Sequence, residues 1–192
     1  MRRTQLLFIA ILTAGGPALS AGPLDVPALR VSETAGVYTV AATFNVPEMP
    51  DDVIAVLTDY EQIPRFMPGV RTSLVRERAN GRAVVEQEAV SKMAMFSKRV
   101  HLVLEVQEHS GGITFLDRCG KSFTRYDGAW RVTRKGNVTA IVYELTADPA
   151  FDVPEFVLTR LLRRDSAKMI EQLQREIARR TALRHVNSPT RR

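Results

Sequence analysis

The chain has 192 residues, 45% of them apolar, and carries 27 Lys and Arg against 21 Asp and Glu for a formal charge of +6. That length and apolar share suit one compact domain with its own core and leave little room for a second. Cys119 is the only cysteine, so an intrachain disulfide framework is excluded and the core must hold the fold unaided.

Residues 1–21, MRRTQLLFIAILTAGGPALSA, have the build of a signal peptide. Arg2 and Arg3 start it, residues 6–12 are its apolar stretch, and small residues allow cleavage after Ser20 or Ala21. The apolar run is short for a bilayer span, and no cysteine follows it to carry a lipid anchor. The expectation is an exported protein, periplasmic or secreted. Without Arg2 and Arg3 the charge is +4, and residues 153–192 hold ten Lys or Arg against four Asp or Glu, a local +6. A basic end on a near-neutral body suits an anionic membrane surface, while export argues against nucleic acid. A solvated helix face followed by a flexible basic tail, residues 183–192, is the alternative.

Residues 22–36 read as a Pro-containing linker, and VYTVAATFNV (37–46) as the first strand, ended by Pro47. The period then changes. Val53, Ile54, Val56 and Leu57 make a short helical stripe after Pro50, Asp51 and Asp52, which suit a first turn. A second helical turn falls near residues 61–66, with a sharp exit at Pro68 and Gly69. The intervening loop, with Ile63, Phe66 and Met67, either exposes an apolar tip or packs to close one end of the core; MAMF (93–96) is a second apolar stretch for the same place.

Successive strands follow. Asn80 and Gly81 between residues 70–79 and 82–93 are a strong two-residue hairpin signal. Val100, Leu102, Leu104 and Val106 alternate with polar residues, as in a strand buried on one face. Residues 113–119, 123–134 and 138–147 continue an antiparallel meander. Gly128, amid SFTRYDGAWRV, is expected to kink its strand, and a bulge at Asp127 and Gly128 would reset the facing of Trp130. Cys119 is expected as a small core residue.

The last element is a long helix, with Asp152 as N-cap and Glu155 three residues on. Leu158, Leu162, Met169, Leu173 and Ile177 recur along one face, and the stripe is interrupted at Ser166. An interruption there leaves a gap between helix and sheet, a candidate pocket. The fold class is α+β: a curved antiparallel sheet of about six to seven strands around a long C-terminal helix, with two short helices after the first strand.

LTDYEQIPRFMPGV (57–70), FSKRVHLVLEV (96–106) and GKSFTRYDGAWRV (120–132), with their D-Y-x-x-x-P-x-F-x-P-G-V and F-x-x-x-x-G-x-W patterns, resemble the START-like or SRPBCC superfamily. The similarity runs over about residues 37–180 and is nearest to the polyketide cyclase/dehydrase and coenzyme Q-binding START-type domains. It implies a helix-grip domain over residues 37–182 with a hydrophobic cavity for a lipid, quinone, isoprenoid or polyketide, and no cofactor. On that fold the cavity would draw on Phe66 and Gln87, on Leu102 and Leu104, and on Phe115, Phe123, Tyr126 and Trp130. Val142 and Glu144 would join them from the last strand, and Leu162 and Met169 from the helix. Pro68, Gly69 and Gly128 are structural.

Catalytic patterns are absent from the sequence. His101, His109 and His185 are dispersed and no cysteine pair exists, so no metal site is expected. Glu144 shares one face of its strand with Ala140 and Val142; facing inward it would be an acid or base beside Tyr126, and facing outward it would sit in water. The leading expectation is a binder or carrier of a hydrophobic molecule. A cyclase/dehydrase-type enzyme using Glu144 and Tyr126 is the alternative, and a groove for an apolar peptide is a third reading.

Overall fold

In the computed structural model, which describes residues 25–67, 69–93 and 96–187, the apolar alternation of VYTVAATFNV becomes a strand with two unlike faces. Tyr38, Val40, Ala42, Phe44 and Val46 are buried, and the residues between them are exposed. This is β2 (Val37–Val46), and it is preceded by β1 (Ala28–Thr34), which pairs with it antiparallel from Ala28 opposite Thr43 to Thr34 opposite Val37. The expected linker 22–36 therefore contains an edge strand. The turn is Ala35 and Gly36, both at positive φ (+52° and +84°), as a two-residue hairpin requires. Asp25 holds the approach to β1: its carboxylate accepts from the Asn45 backbone N–H at 2.7 Å, and its carbonyl accepts from Gln174 at 3.0 Å.

Helix α1 (Pro50–Leu57), a 3-10 turn at Tyr60–Gln62 and the short α2 (Ile63–Phe66) follow. Six more strands complete the sheet: β3 (Val70–Ala79), β4 (Arg82–Met93), β5 (Phe96–His109), β6 (Gly112–Asp117), β7 (Phe123–Lys135) and β8 (Val138–Pro149). The order is β1-β2-β8-β7-β6-β5-β4-β3, antiparallel throughout, so eight strands replace the six to seven expected. Asn80 and Gly81 make the β3–β4 turn, at φ +52° and +72°. Residues 1–21, Pro68 and the centre of MAMF lie outside the described residues.

The register of β7 against β8 shifts only between Phe123 and Arg125. No bulge forms at Asp127 and Gly128, so Tyr126, Gly128, Trp130 and Val132 stay on one face, with Trp130 directly opposite Tyr143. Gly128 is required by close approach. A Cβ there would lie 2.3 Å from the Glu144 carbonyl oxygen and 2.6 Å from the Phe115 ring, contacts that no side chain tolerates. Cys119 is half-buried in the β6–β7 connection rather than in the core, its thiol 3.5 Å from the Asp117 carboxylate.

Helix α3 (Glu155–Asn187) crosses the inner face of the sheet. Pro154, rather than Asp152, starts it, its carbonyl accepting from the Val157 and Leu158 N–H groups at 2.9 and 3.2 Å. Helix continues through Asn187, so the tail expected at 183–192 is helical over its first half. Ile170, Leu173 and Ile177 are 0% exposed. At roughly 1.5–3 kcal/mol for each fully buried aliphatic side chain, these three fasten the C-terminal half of α3. Arg180 bonds Asp59 and Glu176, each at 2.7 Å, and Arg184 pairs with Asp52, so the same half also holds α1 and the 3-10 turn.

Gly128→Ala should cost about 1–3 kcal/mol through overpacking against Phe115 and the β8 backbone. Thermal unfolding followed by circular dichroism checks this, with a fall of several degrees expected.

A cavity between sheet and helix

Where the apolar stripe of α3 is interrupted, helix and sheet part. The space is a cavity of about 320 Å³, and Ser166, 7% exposed, sits on its wall between Leu162 and Met169. That volume is within the usual range for small-molecule sites. One wall is aliphatic, formed by Val85 of β4 and by Leu102, Leu104 and Val106 of β5. The facing strands supply an aromatic wall: Phe115 of β6, Phe123, Tyr126 and Trp130 of β7, and Tyr143 of β8.

These rings hold each other. Trp130 stacks on Tyr143 with centroids 4.3 Å apart, and Tyr126 lies 4.9 Å from Phe123 and 6.0 Å from Phe115. Gly128, between Tyr126 and Trp130 on the same face, leaves the room into which the Phe115 ring fits. The loop after α1 closes one end: Ile63, Phe66 and Met67 are half-buried and pack on the core rather than projecting as an apolar tip. The Arg180 guanidinium lies 5.8 Å from the centre of the Phe66 ring.

Few polar groups reach the cavity. The Gln87 amide donates to Ser73 Oγ at 3.0 Å. The Lys98 ammonium lies over the Phe151 ring, 4.0 Å from its centre, and Asp165 pairs with Arg164 at 2.7 Å. Burial pushes the Tyr126 phenol up to about 12, helped by the charge of Asp117. Burial raises Tyr143 as well, with Tyr126 adding to the shift.

The structure sets Phe66, Gln87, Leu102, Leu104, Phe115, Phe123, Tyr126, Trp130, Leu162 and Met169 around this cavity, and Gly69 beside Phe66 and Met67 at its closed end. Val142 and Glu144 are not there. The inward residues of β8 are Ile141, Tyr143 and Leu145, so Val142 and Glu144 point to the outer face, where Glu144 pairs with Arg131 at 2.6 Å. Arg125 and Asp127 form a surface pair, at 2.5 Å. Sequence reasoning missed Lys98, Phe151 and Asp165, which come from three separate segments with no shared pattern. Tyr143 was legible only as the other facing of β8. Among the described residues, no three His, Cys, Asp or Glu side chains converge as metal ligands would, and no helix is long and apolar enough to cross a membrane.

A family model described as polyketide cyclase / dehydrase and lipid transport matches residues 46–174. No curated protein matches the chain. Among solved structures, the aromatase/cyclase ZhuI from Streptomyces sp. R1128 superposes with a TM-score of 0.64 at 17% identity, over 76% of this chain and 96% of that one. A Thermus thermophilus protein, TTHA0849, gives 0.61 at 22% identity, over 78% of this chain and 99% of that one. A STAR-related lipid transfer protein fragment from Xanthomonas axonopodis gives 0.59 at 16% identity, over 78% and 98%. At these identities the likeness is one of fold: the helix-grip architecture of START-like proteins.

Glu144→Gln should change stability by less than about 1 kcal/mol, because its pair with Arg131 is half-exposed on both sides. The same substitution should leave binding of an apolar fluorescent probe unaltered, whereas Met169→Trp, which fills the cavity from the helix, should weaken it ~tenfold or more. Probe titration of both variants checks the pair.

Proposed function

Since the chain belongs to the polyketide cyclase / dehydrase and lipid transport family, we propose that it is an exported binder or carrier of a hydrophobic small molecule of the lipid, quinone, isoprenoid or polyketide type. The observation that carries this reading is the cavity itself: about 320 Å³ of space walled by aliphatic and aromatic side chains, where apolar burial at roughly 25 cal/mol per Å² drives binding. Solved structures of the same fold include one named for lipid transfer and another named an aromatase/cyclase. Export rests on residues 1–21, with their basic start, apolar stretch and small residues.

The acid/base alternative loses Glu144, which lies on the outer face, and the carboxylate that does line the cavity, Asp165, is paired with Arg164. Tyr126 remains in the cavity, and a phenol that keeps its proton to about pH 12 acts at neutral pH as a hydrogen-bond donor rather than a base.

The membrane-facing part of the proposal narrows to the first half of α3. Arg175, Arg179, Arg180 and Arg184 are engaged with acidic residues of the protein. Arg160 and Arg163 are exposed and form no ion pair with any described residue. With Phe156, 74% exposed, they recur at i, i+4 and i+7 along one helix face, so an aromatic side chain and two cations meet solvent together. Each such cation contributes about 1 kcal/mol of attraction to an anionic bilayer.

Purified without detergent and examined by native mass spectrometry with organic extraction, the protein should carry a stoichiometric hydrophobic molecule. A protein that is empty and also takes up no lipid from vesicles would count heavily against the reading. The double variant Arg160→Glu, Arg163→Glu should co-sediment less with phosphatidylglycerol vesicles than the unaltered protein, and added salt should abolish the difference.

A further inference from the structure

Three polar side chains of the aromatic wall have donors that no described residue accepts. Trp130 is 6% exposed and Tyr143 4%, and Tyr126 lines the same space. Neither phenol hydroxyl nor the indole Nε1–H bonds to any described residue. Buried polar groups are nearly always bonded, and leaving one unmet is costly. Yet none of the three is sealed: among the described residues the one closed-off side-chain polar atom without a partner is Thr181 Oγ1. The remaining surface of these three atoms therefore opens to the cavity that their side chains line. They share one face of two adjacent strands, Trp130 opposite Tyr143 and Tyr126 four residues along β7. Both side chains line the same cavity.

Val85, Leu102, Leu104 and Val106 are aliphatic, and the nearby Gln87 amide is turned to Ser73. Of the other polar groups that line the cavity, Asp165 is paired with Arg164, Lys98 lies over Phe151 and Ser166 stands on the helix, so on the sheet the donors left without a described partner gather on the β7–β8 wall, and an indole N–H can only donate. Resting on the carrier reading above, we infer that Trp130, Tyr143 and Tyr126 form a donor set for an acceptor oxygen of the ligand, a carbonyl or ether on an otherwise apolar skeleton. The ligand is then an oxygenated hydrophobe, oriented by that oxygen against the β7–β8 wall, and a plain hydrocarbon chain is bound less well.

A matched pair of probes tests this: 1-tetralone and tetralin, which share a skeleton and differ by one ketone. Isothermal titration calorimetry should give the unaltered protein ~tenfold higher affinity for the ketone, as one or two net hydrogen bonds allow. Tyr126→Phe, Tyr143→Phe and Trp130→Phe should each shrink that ratio, with affinity for tetralin unchanged or raised in the two tyrosine variants. Because the hydroxyls have no partner among the described residues, the tyrosine variants should unfold at the same temperature or higher, which a structural role for them would not permit. Equal affinity of the unaltered protein for both probes, or a ratio unchanged in all three variants, would overturn the inference while leaving the carrier reading intact. Binding of neither probe would overturn the carrier reading itself and this inference with it.

Discussion

The structure depends on one contact, the burial of the C-terminal half of α3 against the concave face of the sheet. Ile170, Leu173 and Ile177 are fully covered, and the sheet can reach them only because it curves. Where β6, β7 and β8 run side by side, Gly128 lets the Phe115 ring and the β8 backbone come closer than a side chain would allow. Polar contacts add direction to this apolar seal. Arg180 joins Glu176 of its own helix to Asp59, and Gln174 holds the backbone of Asp25. The helix end, the 3-10 turn and the start of the described chain are thereby fixed to one another.

The N-terminal half of α3 is held differently. Leu158 and Leu161 pack with Tyr38 in a small separate cluster, and between that cluster and Ile170 the helix spans the cavity on Leu162, Ser166 and Met169. A polar residue in the middle of the buried stripe withdraws the packing that would otherwise close the gap. The cavity thus lies where the helix departs from apolar periodicity, with regular packing at both ends.

Much of this was legible in the sequence, for identifiable physical reasons. Asn80 and Gly81 announced their hairpin because few residues adopt positive φ, and the break at Ser166 showed against an otherwise regular stripe. The resemblance of residues 57–70 and 120–132 gave the helix-grip arrangement. Strand β1 was hidden because its turn uses Ala35, which rarely takes the left-handed region and sends no signal. The facing of β8 was hidden because Ala140, Ile141, Val142 and Tyr143 make both of its faces apolar; the burial of Ile141, Tyr143 and Leu145 and the pairing of Glu144 with Arg131 across the outer surface decide it. The unused donors were invisible for a related reason, since Trp130 and Tyr143 become neighbours only through the β7–β8 register.

The division of α3 into a fastened half and a spanning half bears on how such a protein changes over evolutionary time. Substitutions at Ile170, Leu173 or Ile177 disturb the seal on which folding rests. Leu162 and Met169 are only half-buried and touch the cavity, so replacing them alters the shape offered to a ligand at little cost to the fold. One continuous helix thereby separates two selective pressures, and the binding site can drift toward new hydrophobic molecules while the scaffold stays as it is.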